Sequence, residues 1–337
     1  MKQSFNSIFF VCAAMLVLAG CSKTNKSLAV IEGVTMGTTY TVKISDQLHK
    51  EVDLKALIDQ ELLEFNGVFS HYMAESEISK FNRSEGAVTV SSSFRELLLL
   101  SEEVKNITRG AFDISIGPLV DLWGFGPDFK REGPPSRIKI EDLLETPSDN
   151  PLKITSNFVY KSRETRLDFS GIAKGYAVDL IAEFLEHRDL ENFFVEIGGE
   201  VKARGLSPRG KPWNIAIEVP NRNERKVFST VPLDNLAMAT SGDYRNFFES
   251  DGAFFPHIIN PDNGYPIDSG VGSVTVLHRS AALADALATG LNAIGLENLS
   301  QISNEKNLKV MAIIRRSGKY EVFSSEKFQE YVTSLSE

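Results

Sequence analysis

Residues 8–19 are an uncharged apolar run preceded by Lys2, within the 7–15 residues of a signal-peptide core and too short to cross a bilayer as a helix. The run leads into Leu18-Ala19-Gly20-Cys21, which resembles a bacterial lipobox, with small residues for the peptidase and a cysteine to carry lipid. The alternative is a cysteine that follows such a run by coincidence. Residues 1–20 then read as a signal peptide, 21–33 as a lipidated N-terminus and tether, and 34–337 as the folded part. Cys12 leaves with the signal and Cys21 is acylated, so neither of the chain's 2 cysteines is available for a disulfide. An exported fold without disulfides must be held by its core. A chain of 337 residues, 42% of them hydrophobic, has ample material for one.

Lys plus Arg number 36 against 45 Asp plus Glu, a net charge of −9 with no offsetting basic run. That argues against nucleic acid as a partner, because phosphate neutralisation needs clustered cations. Residues 36–44 alternate β-branched and polar side chains and predict a strand. Leu54, Leu57, Ile58, Leu62 and Phe65 recur at helical spacing. A second helix is predicted over 92–108, with serines at its start, Phe94, Leu97, Leu98 and Val104 on one face and Gly110 to stop it. Residues 123–150, rich in Pro, Gly and charge, read as a long surface loop and a candidate boundary between lobes. Further helices are predicted over 171–187 and 280–294, and strands over 193–197, 213–219, 271–277 and 308–314. Strands and helices interleave without the regular rhythm of a doubly wound sheet, so the predicted class is α+β.

Three segments carry candidate chemistry. In Leu167-Asp168-Phe169-Ser170-Gly171-Ile172-Ala173-Lys174 a strand passes through a Ser-Gly turn into a helix, leaving backbone N–H groups and Lys174 where an anion is favoured. It lacks the spacing of either standard nucleotide motif, and an ordinary strand-to-helix turn is the alternative. On the helix at 280–294, Asp285 and Thr289 lie four apart, on one face among alanines. They make a hard oxygen site suited to Mg²⁺, or else a solvated helix face. Third, His257 sits in a loop whose Pro256, Pro261 and Gly264 fix the backbone around a group that titrates near neutral pH, as a general base or as a structural histidine. Of the other histidines, His49 and His187 lie in charged stretches and His278 follows a strand.

Taken together, Met36-Gly37-Thr38, Ala111-Phe112-Asp113, the run from Asp168 to Gly175, Ser241-Gly242-Asp243-Tyr244, the run from His257 to Pro261, and Asp285 with Thr289 resemble the FAD:protein FMN transferases in order and spacing. The resemblance spans nearly the whole chain after the leader. It implies a T-fold-like α+β body that binds FAD and Mg²⁺ and moves FMN from FAD onto a threonine of a partner protein as a phosphoester, releasing AMP. It assigns flavin or nucleotide contacts to Met36, Tyr72, Ala111, Phe112, Asp113, Asp168, Lys174 and Ile259. The Gly171 carbonyl, Asp285 and Thr289 match the metal site. His257 is the expected base for the threonine hydroxyl, with Asp243 the next candidate. Asn260 and Asn263 depart from the Asp and the Thr or Ser expected there, which touches local hydrogen bonding rather than the reaction.

The acceptors implied are subunits of redox-driven ion pumps. With Cys21 as lipid anchor, the expected place is the periplasmic side of a bacterial membrane. Two other functions fit the same residues: a Mg²⁺-dependent FAD pyrophosphatase giving FMN and AMP, and a lipoprotein that binds FAD without chemistry.

Overall fold

The computed structural model describes residues 28–48, 53–127, 133–145, 152–156, 158–221, 224–244, 246–267, 269–316 and 319–331. Cys21 and the expected signal peptide lie outside them. A hairpin of β1 (Ala29–Thr35) and β2 (Thr38–Ile44) leads through α1 (Leu54–Phe69), α2 (Glu77–Arg83), β3 (Gly86–Val88) and α3 (Ser92–Ile107). Next come α4 (Gly117–Leu122), α5 (Arg137–Glu145), β4 (Lys153–Ile154), β5 (Val159–Lys161) and α6 (Ala173–Glu186). Then follow β6 (Phe193–Ile197), β7 (Glu200–Arg204), β8 (Trp213–Glu218), β9 (Val227–Leu233), β10 (Leu236–Gly242), β11 (Phe247–Ser250) and β12 (Ala253–Pro256). The chain closes with β13 (Val271–His278), α7 (Ala281–Ala293), α8 (Leu296–Glu305), β14 (Lys309–Arg316), β15 (Lys319–Ser324) and α9 (Glu326–Gln329).

The main sheet has 8 strands in the order β1-β2-β6-β7-β10-β13-β14-β15. Every neighbouring pair in it is antiparallel. Period-two alternation sorts its side chains into two cores. Val195, Ala237, Val274, Val276, Val310 and Ala312 meet α1, α3, α6 and α7 on one face. Phe194, Met238, Leu277, Met311 and Ile313 face the β8–β9 hairpin and Phe328 of α9 on the other. The α+β expectation is therefore met by a sheet covered by helices on one side and a hairpin on the other.

Helices α1, α3 and α7 start where side-chain acceptors meet their open N–H groups: Asp53 accepts from Ala56, Ser91 from Phe94 and Ser280 from Leu283. The strand expected over 36–44 begins at Thr38, because Met36 and Gly37 take positive φ and turn the chain back onto β1. From Ala29 the stretch expected to be tether is already that edge strand. The stretch 123–150 is no simple loop either, since α5 forms within it. Trp123 and Ile140 are buried with Phe248 and Ile259. The Trp123 indole N–H donates to the Gly264 carbonyl at 2.7 Å. These contacts clamp the segment onto the loop carrying His257, and its described residues form no lobe boundary.

Candidate functional site

Helix α6 opens without a side-chain cap, because Ile172 occupies that position and has nothing to offer an N–H group. Asp168 closes the preceding turn, its carboxylate accepting from the Ser170 N–H at 2.6 Å. The first turn crosses α7 at very short range. A Cβ on Gly175 would lie 2.2 Å from the Ala281 carbonyl oxygen and 2.8 Å from Asp285 Cβ, so only glycine permits the crossing. In return the Gly175 N–H donates to Asp285 Oδ2 at 3.0 Å.

This crossing forms one wall of a cavity of about 350 Å³. It brings together Tyr72, Ala111, Phe112, Asp113, Asp168, Gly171, Lys174, His257, Ile259, Asp285 and Thr289, all singled out in the sequence. Tyr72 stands at the rim, 78% exposed. Asp113 is held by the Ser115 N–H at 2.8 Å and by Lys105 at 2.7 Å. Two expected residues are not on the wall. Met36 lies in the β1–β2 turn, packed against the main core, and Asp243 is ion-paired with Arg315, which engages the carboxylate an alternative base would need.

His257 has a defined tautomer. Its Nδ1 lies 3.0 Å from the Asn246 carbonyl oxygen, and a carbonyl only accepts, so Nδ1 carries the proton and Nε2 keeps its lone pair. Burial disfavours the imidazolium and pushes the pKa down to about 4, against which the bond to Asn246 acts only partly. The expected titration near neutral pH is thus corrected: this imidazole is neutral throughout the physiological range. The Phe125 ring stands edge-on to it at 6.3 Å between centroids and adds to its enclosure.

On the opposite side, Asp285 is buried, and burial raises its pKa despite the nearby Lys174. Gly171 presses on Thr289, where an added Cβ would come within 3.4 Å of Oγ1. One carboxylate, one hydroxyl and one backbone carbonyl form a hard, sparse oxygen set. It fits Mg²⁺, which keeps waters and phosphate oxygens in its remaining positions. Among the described residues no group of three His, Cys, Asp or Glu side chains converges on a metal position.

The sequence reading missed Glu200. It lines the cavity, is otherwise buried, and burial raises its carboxyl pKa despite the adjoining Lys174. Lys174 Nζ lies 2.8 Å from Glu200 Oε1 and 3.9 Å from Asp285 Oδ2, so the lysine expected to stand open to an anion is engaged by a carboxylate. The available signal was the pair Gly198-Gly199, which turns β6 into β7 and sets Glu200 at the strand's start. Also unforeseen, His71 sits behind Asp168, its Nε2 3.9 Å from Oδ1.

The sequence model of the ApbE family matches residues 36–314. The chain belongs to the ApbE family. The FAD:protein FMN transferase of Vibrio cholerae is 37% identical over 326 residues, covering 95% of this chain and 97% of that one. The enzyme of the same name from Haemophilus influenzae is 36% identical over 348 residues, covering 98% of each. The solved structure of the Vibrio cholerae flavin transferase ApbE superposes with a TM-score of 0.84 at 36% identity, over 90% of this chain and 99% of that one. The α+β body is therefore that of the family's flavin transferases.

Proposed function

We propose that this chain transfers FMN from FAD to a threonine side chain of a partner protein, with Mg²⁺ held by the Gly171 carbonyl, Asp285 and Thr289, and with AMP as the leaving group. Family membership supports the transferase reading. The observation that carries it to a mechanism is the placing of a neutral His257 and the oxygen set around Asp285 on walls of one cavity.

In the proposed step the threonine oxygen attacks the FMN phosphorus of FAD. The bond from that phosphorus to the AMP oxygen breaks, and a phosphoester to threonine forms. His257 Nε2 takes the hydroxyl proton, a role open to it because Nδ1–H is committed to Asn246. The Gly171 carbonyl, Asp285 and Thr289 would hold the Mg²⁺, which when bound would supply charge neutralisation for the pyrophosphate and its leaving oxygen. Lys174 and the uncapped start of α6 orient the phosphates, while Phe112, Ile259 and Phe125 give apolar wall to ring systems and exclude water. Tyr72, exposed at the rim, serves the flavin contact that the family resemblance assigns to it.

The acceptors we propose are exported segments of redox-driven ion-pump subunits, met by a protein anchored through Cys21 on the periplasmic side of a bacterial membrane. The test is FAD turnover with Mg²⁺, with and without an acceptor bearing the threonine. Covalent flavin appearing only with both supports transfer. Free FMN at the same rate without acceptor makes the protein a pyrophosphatase, and unchanged FAD makes it a binding protein.

A further inference from the structure

The Lys174 side chain is held by a purpose-shaped cradle. Its stem passes over the β6–β7 turn at Gly198, where a Cβ would lie 3.1 Å from Lys174 Cδ and 3.0 Å from Thr38 Cγ2. Its ammonium ends 2.8 Å from Glu200 Oε1 on β7. Asp285, on α7, is the second carboxylate in reach, and there the separation is 3.9 Å. Glu200 Oε2 is buried and makes no hydrogen bond among the described residues. A carboxylate buried at such cost, with one oxygen on an ammonium and the other unsatisfied, is not explained by stability alone.

An ammonium and a divalent cation compete for the same carboxylate. Were Lys174 to close the remaining gap to Asp285, it would satisfy the charge that the cation needs, and the cation would have to displace it. Glu200 offers the ammonium a nearer partner.

We propose that Glu200 is a positioning residue that holds Lys174 out of a direct ion pair with Asp285, so that Asp285 stays available to the divalent cation. This rests on the reading of Asp285 as a metal ligand. The arrangement is the outer-shell counterpart of a ligand set, where losing a supporting partner typically costs about 10–100-fold in metal affinity.

The test reads metal binding rather than turnover: Mn²⁺ alone, without nucleotide, titrated against the protein by electron paramagnetic resonance. Glu200→Gln keeps the shape and removes the charge. It is expected to weaken Mn²⁺ binding by about 10–100-fold. Adding Lys174→Met to Glu200→Gln is expected to recover most of that loss, since the competitor is then gone. Unchanged affinity in Glu200→Gln, or an equal loss in the double variant, overturns the proposal. Should Glu200→Gln not fold, Lys174→Met alone decides: it is expected to bind Mn²⁺ at least as tightly as the wild type, and weaker binding contradicts the competition. The underlying metal reading fails separately, if Asp285→Asn binds Mn²⁺ as the wild type does.

Discussion

The His257 imidazole is fixed by the main chain of Asn246: Nδ1 donates to that carbonyl at 3.0 Å, and the His257 backbone N–H donates to the same oxygen at 3.1 Å. One acceptor thus sets both the loop's path and the ring's tautomer. The consequence is an imidazole whose Nε2 lone pair is available without any preceding proton transfer, as the proposed base role requires.

His257→Ala is expected to retain FAD affinity while slowing transfer by about 100–10,000-fold, the range for a lost general base. Flavin titration and acceptor labelling on the same variant check this. Equal loss of both would make His257 a binding residue.

The pH dependence follows from the depressed pKa. Because the folded imidazole takes its proton only near about 4, the rate is expected to hold as pH falls through 6.5 and to drop on approaching 4. Folding stability has the matching sign. Between these two values the unfolded chain binds a proton that the folded one refuses, so stability falls as pH falls through that window. A rate inflection near 6.5 that disappears in His257→Ala would contradict the assignment.

Asp285→Asn keeps the bond from the Gly175 N–H but removes the charge. The variant is expected to fold with a melting temperature no lower than the wild type, since the charge it removes is buried, and to lose Mg²⁺-dependent turnover. Full activity of the variant in chelating buffer would rule the site out.

Gly175→Ala is expected to destabilise the protein by about 1–3 kcal/mol, the usual cost of forcing volume into a packed contact. Its Cβ would meet the rigid Ala281 carbonyl rather than a movable side chain. Thermal denaturation checks the stability, and reduced Mn²⁺ affinity in the same variant reports the shift of Asp285. A variant unchanged in both would show that α6 and α7 part without consequence.

Much of the helical half was legible because its periodicity is strong. Leu54, Ile58, Leu62 and Phe65 are the buried face of α1, and Asp285 and Thr289 share a face of α7. The strands were harder. Strand β10 carries Ala237, Met238 and Ala239 buried in succession, between cores on both faces of the sheet, so no alternation marks it. Strand β1 is interrupted in pattern by Gly33, where a Cβ would strike the Tyr40 ring. In the site, residue types announced themselves but partners did not. Glu200 meets Lys174 across two separate elements, and the depressed pKa of His257 comes from burial that only tertiary packing creates.

On the proposal that the Cys21 sulfur carries the lipid, Cys21→Ser is expected to abolish lipid attachment and leave an unprocessed or unlipidated chain. Metabolic labelling with a fatty acid checks it. Undiminished label in the variant would place the anchor elsewhere.

The central claim is tested most directly by mass spectrometry of a threonine-bearing acceptor after incubation with this protein, FAD and Mg²⁺, with released AMP measured in the same sample. The account predicts FMN esterified to the threonine, AMP in equal amount, and neither product in Asp285→Asn. AMP and free FMN with an unmodified acceptor would contradict it.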